Sequence, residues 1–117
     1  VIHHSPAEGV DKWRKHLTDR SHLQAILARH GVELVLHGHT HRAVWSSLRT
    51  AAGEAPVICT TSASAVGHKA GRRAAYNLCR LETDARAWRL AVETRGCAVA
   101  DGRFHQTGQR ELLIRRP

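Results

Sequence analysis

Apolar positions follow two regimes along this chain. Over residues 7–30 they recur at helical spacing; beyond residue 31 they come in short runs or alternate with polar residues. Trp13 and Leu17 lie four apart, and Leu23, Ile26 and Leu27 fall on one helical face, so the spacing predicts a helix in two pieces. Asp11 is a candidate cap for the first piece, Asp19 or Ser21 for the second, and Gly31 a natural stop. Residues 32–36, interrupted only by Glu33, read as a buried strand running to His37. A short strand over 43–48, a turn at Ala52-Gly53-Glu54 and a strand over 56–61 follow, the last ending in Ser62-Ala63-Ser64. Residues 66–73 carry Gly67, Gly71, His68, Lys69 and two arginines, the composition of a loop close to a ligand. Residues 76–81 and 88–94 alternate and are separated by Thr83-Asp84-Ala85, which predicts a hairpin with one wet face. Phe104 and residues 112–114 suggest a last edge strand. No repeat or low-complexity linker marks a boundary within residues 1–117.

The candidate chemistry sits where two apolar runs stop. Val35-Leu36 leads into His37-Gly38-His39-Thr40-His41, and Val1-Ile2 leads into His3-His4-Ser5-Pro6. Imidazole is the commonest side-chain ligand of borderline transition metals. Proline keeps the residue before it extended and ends a central strand. Gly38 is expected to turn the backbone where a Cβ would clash. Two strand-end histidine groups separated by a helical segment have the βαβ layout, in which ligands collect beyond the carboxyl ends of the strands.

Composition trims the alternatives. The formal charge is +8, from 18 Lys+Arg against 10 Asp+Glu, but the arginines are scattered (Arg29, Arg49, Arg80, Arg89, Arg103) and no basic–aromatic module appears. Direct nucleic-acid binding is therefore not expected. No apolar run reaches the ~20 residues that span a bilayer. Cys59, Cys79 and Cys97 are odd in number and widely spaced, without a CxxC, so a disulfide framework is not expected and a reduced, cytoplasmic setting is the default. The chain contains no methionine and begins inside an apparent strand, which suggests the C-terminal portion of a longer protein.

The pair His3-His4-Ser5-Pro6 and Gly38-His39-Thr40-His41-Arg42 resembles the last two motifs of the calcineurin-like metallophosphoesterases, H-H-x-P and G-H-x-H after apolar strands. Ser62-Ala63-Ser64 and Tyr76-Asn77 are weakly similar to the tail of the cyclic-nucleotide phosphodiesterase branch. The family's first three motifs, D-x-H, G-D-x-x-D and G-N-H-[DE], do not occur here. What the resemblance implies is the C-terminal portion of one α/β domain, a four-layer α/β/β/α sandwich whose acidic half is not in this sequence. It implies two divalent metal ions (Mn, Fe or Zn) and hydrolysis of a small phosphodiester or phosphomonoester by two-metal activation of water. Its ligand positions fall on His3, His39 and His41. His4 and His37 would support the ligands, and Arg42 would touch a substrate phosphate. His16, His22 and His30 read as solvated residues of the helical region, and His68 and Lys69 as a solvated loop. Two other readings stand beside it: a phosphatase-like scaffold or binding module that has lost the acidic motifs, and an unrelated zinc cluster in a basic RNA-associated protein. Oligomeric state is not legible.

Overall fold

The apolar run that ends at His37 forms a short strand, and later segments build a sheet on one side of it. The computed structural model describes all residues except 13, 15, 67, 68, 70 and 117, and of Asp84 only the backbone. Among the described residues, one helix and six strands follow in the order α1 (Arg20–His30), β1 (Val35–His37), β2 (Val44–Thr50), β3 (Gly53–Cys59), β4 (Ala75–Asp84), β5 (Ala87–Cys97) and β6 (Phe104–Arg115). The first sheet has the order β1-β3-β2, with β1 parallel and β2 antiparallel to β3. On the far side of β1, Ile2 bridges His37 in parallel and its N–H donates to the Leu36 carbonyl at 2.9 Å. Residues 1–3 and β1 therefore run the same way, with α1 as the crossover, and both histidine groups emerge at one sheet end. The second sheet is an antiparallel meander, β4-β5-β6, with an irregularity at Thr94/Arg95.

β3 is apolar on both faces because both faces are covered. Val57 joins Val35, Leu48, Ala7 and Val10, with Leu27 of α1 packed against them. Ile58, the next residue, points the other way into Leu90 and Val92 of β5 and Ile114 of β6, flanked by Leu36, Trp45 and Trp88. The first sheet thus lies between α1 and the second sheet.

The expected four-layer α/β/β/α sandwich is not what this chain forms. Among the described residues, strands account for 45% and helix for 11%, in two small sheets with one helix. The missing outer helical layer has a physical reason. The outer face of the second sheet is mostly polar, with Arg80, Glu82, Arg89, Glu111 and Gln109 exposed on it, although Leu78 and Leu113 are exposed there too. The predicted first helical piece fails locally. Over residues 5–12, side chains take backbone partners that a helix would use: Ala7 N–H donates to Ser5 Oγ at 3.2 Å and Ser5 N–H to Asp11 Oδ2 at 3.2 Å. Gly9 adds a left-handed φ of +72°. Asp11 thus binds upstream and does not cap a helix downstream; Trp13, on which that helical spacing rested, lies outside the described residues.

Other boundaries shift less. Asp19 is the N-cap of α1 but makes no side-chain cap hydrogen bond, while Gly31, at φ +78°, donates its N–H to Leu27 at 2.9 Å. The 76–81 and 88–94 segments do pair as a hairpin, β4 with β5. The proposed edge strand runs unbroken through Phe104–Arg115. No helix among the described residues is long and apolar enough to cross a membrane.

Candidate metal centre

Two neighbouring strand ends deliver the histidines. Gly38 N–H donates to the His3 carbonyl at 3.1 Å, tying the two segments where they leave the sheet. Beyond that tie, His39 Nδ1 stands 3.2 Å from His3 Nε2, although 36 residues separate them. The His4 ring lies against both, with centroids 4.2 Å from His39 and 5.0 Å from His3. Among the described residues, His3, His4 and His39 each offer a ligand nitrogen, all within 4.8 Å of one another.

The backbone is bent to achieve this. His39 and His41 both sit in the left-handed region, at φ 66° and 51°. That conformation costs an ordinary residue ~1–2 kcal/mol, and such strain clusters at functional sites. Gly38, expected to provide the turn, has no positive φ, and a Cβ there would meet nothing nearer than His3 Nδ1 at 3.7 Å. The turn is made by the histidines themselves. Below the loop, buried Cys59 at the end of β3 braces it, with Sγ 3.4 Å from the Gly38 carbonyl and 3.2 Å from Thr40 Oγ1.

The expected set of His3, His39 and His41 is thus divided. His3 and His39 meet; His41 lies outside the cluster and lines the adjoining cleft. His4, expected to support the ligands, shares the cluster itself. His37 is buried and stays apart: its Nδ1 donates to the Gly38 carbonyl at 3.0 Å, and burial pushes its pKa below the ordinary value. His22 and His30 lie exposed on α1 and His16 is half-buried; His68 lies outside the described residues.

Sequence reasoning missed Asp11. Its side chain is 2% exposed, and Oδ2 lies 3.9 Å from His4 Nδ1. Asp11 Oδ1 and His4 Nδ1 are both buried without a hydrogen-bond partner. Buried orphans of this kind are costly and call for a ligand or a closer approach. Gln24 of α1 fixes the segment from behind, its Nε2 donating to the Pro6 carbonyl at 2.7 Å. The only signal in the sequence was a lone acid seven residues after His4, which reads equally well as a cap.

The donor set fits a metal ion. Nitrogens bound to one tetrahedral ion at ~2.0–2.1 Å stand ~3.3 Å apart, and His39 Nδ1 and His3 Nε2 stand 3.2 Å apart. The same distance also suits an N–H···N hydrogen bond between the two rings. A carboxylate beside a ligating imidazole is the common way to set its tautomer and orientation.

A cleft of about 460 Å³ opens beside the cluster, lined in part by His39, Thr40, His41, Arg42, Lys12 and Arg72. Arg42 therefore lies where a substrate phosphate was expected; Lys12 and Arg72 were not singled out, and Lys69 is exposed elsewhere on its loop. Compared with protein-family models, with curated proteins and with solved structures, the chain matches none.

Proposed function

We propose that this chain supplies the histidine ligands of a metal-dependent phosphoesterase of the calcineurin-like kind, acting on a small phosphodiester or phosphomonoester. One observation carries the reading: His3 and His39, from segments 36 residues apart, bring ring nitrogens within 3.2 Å, with His4 against both. Two divalent ions of the Mn, Fe or Zn type, when bound, supply Lewis acidity toward water and toward the phosphoryl oxygens. The chain's own residues do the holding. His3 and His39 would supply ring nitrogens that already stand 3.2 Å apart, with His4 beside them, and His41 lines the adjoining cleft. Asp11 fixes His4 by attraction across the buried contact. Arg42 offers a fixed positive charge to the substrate anion.

The free thiols at Cys59, Cys79 and Cys97 support a reducing, cytoplasmic setting. The absence of D-x-H, G-D-x-x-D and G-N-H-[DE] from the 117 residues favours a second reading, a phosphatase-like scaffold without turnover, wherever no other segment supplies carboxylates. Calorimetric titration of the chain with Zn²⁺ and Mn²⁺ tests the metal site. We expect weak binding by the chain alone, lost in His39→Ala and retained in His22→Ala, and poor turnover of a nitrophenyl phosphodiester. Equal losses in the two variants would contradict the assignment.

A further inference from the structure

Three cations line one cleft, and among the described residues no ion pair engages them. Lys12, Arg42 and Arg72 come from three separate segments, yet all line the cleft beside His39 and His41. None forms an ion pair among the described residues. Asp11, the one acid on the same wall, is turned away, with Oδ2 engaged by Ser5 N–H and facing His4.

Each cation is mounted next to a pinned point of backbone. Lys12 follows the buried Asp11. Arg42 follows the left-handed His41, and its carbonyl accepts from Thr40 Oγ1 at 3.3 Å. The Arg72 loop is clamped at its neck. The buried Thr61 hydroxyl donates to the Arg73 carbonyl, Arg73 Nε donates to the Cys97 carbonyl at 3.2 Å, and Ala74 N–H donates to Ala65 at 3.0 Å. Like charges gathered on clamped segments repel one another unless an anion lies between them.

We infer that Lys12, Arg42 and Arg72 form an anion subsite beside the histidine cluster, built for a ligand carrying two neighbouring phosphoryl groups, a diphosphate ester. An ionised phosphodiester carries a single negative charge at neutral pH and a phosphomonoester about two, so three cations exceed what either needs, whereas a terminal diphosphate carries up to about three. A diphosphate matches them more closely, and the cleft falls within the range of ~300–1,000 Å³ usual for small-molecule sites. That the diphosphate belongs to a substrate rests on the phosphoesterase reading; the subsite itself does not.

The test keeps the two apart. Inorganic pyrophosphate and inorganic phosphate are titrated calorimetrically into the chain with chelator present, so no metal contributes. Pyrophosphate should bind at least ~10-fold more tightly than phosphate, and Arg72→Ala and Lys12→Ala should each weaken it by ~10-fold, the usual size of a charge-assisted contact. Arg89→Ala, on the outer face of the second sheet, should leave it unchanged. ADP should compete with pyrophosphate. Equal affinity for the two inorganic anions, equal weakening by Arg89→Ala, or exclusion of ADP overturns the inference. Failure of the chain to take Zn²⁺ in a separate titration removes the phosphoesterase reading and leaves this result standing.

Discussion

The histidine loops and the β4-β5-β6 meander solve opposite problems within one chain. The meander pairs without interruption from Ala75 to Arg115, apart from the irregularity at Thr94/Arg95, and it buries Leu90 and Val92 almost completely. The histidine loops hold two non-glycine residues in left-handed backbone and bury the unpartnered polar atoms His4 Nδ1 and Asp11 Oδ1. One region gains stability from regular pairing and packing. The other gives some up to bring ring nitrogens together. Binding and folding should therefore respond to different substitutions.

The largest effect belongs to the meander. Leu90→Ala opens a cavity between the sheets and should destabilise the chain by ~2–5 kcal/mol in urea unfolding, while the folded fraction keeps its affinity for Zn²⁺. Substitution in the loop should do the reverse. His39→Gly removes a ring and relieves a strained φ, so Zn²⁺ binding should be lost while the unfolding free energy stays within ~1 kcal/mol of the parent. A parallel loss of stability and binding in either variant would erase the distinction between the two regions.

Asp11→Asn sharpens the comparison at the boundary between loop and core. The amide can still accept from Ser5 N–H but no longer attracts His4 as a charge, so Zn²⁺ affinity should fall by ~10–100-fold, the usual cost of losing a partner behind a ligating imidazole. Unchanged affinity would reduce Asp11 to a structural tie.

The smallest effect lies at the turn between β5 and β6. Asp101 accepts from Arg103 N–H at 2.9 Å and contacts His105 Nε2 at 2.7 Å, and these hold its carboxyl below the ordinary range, the Arg103 bond first. A carboxyl depressed by folding stabilises the folded state above its unfolded pKa. That contribution is lost as pH falls through the folded value, so the turn should loosen only in acid. Amide shifts of Arg103 followed by NMR should show one acid titration that disappears in Asp101→Asn; an unchanged titration would assign it elsewhere.

How much of this was legible depended on how local the signal was. β3 and the β4–β5 hairpin showed in the sequence because alternation and apolar runs reflect neighbouring positions on a pleated strand. β6 showed only at its two ends, Phe104 and residues 112–114, since its residues from His105 to Glu111 are polar or glycine; β5 supplies the pairing partner that makes them a strand. The helix predicted over the first half of residues 7–30 failed because Ser5 and Asp11 use their side chains on backbone, a competition that spacing does not reveal. His3 and His39 stood out as strand-end histidines, and the resemblance marked them, with His41, as ligand positions. That Asp11 lies behind His4 was not legible, because which ring faces which acid depends on how residues 5–12 fold back. Arg42 could be picked out beside its motif, whereas Lys12 and Arg72 reach the cleft only through tertiary placement.

The most direct measurement is ¹⁵N NMR of the imidazole rings during titration with Zn²⁺. The expected result is that His3, His4 and His39 shift together and saturate at the same metal ratio, while His22 and His30 on α1 remain unmoved. Independent responses of the three rings, or a response of the α1 histidines equal to theirs, would contradict a shared metal centre.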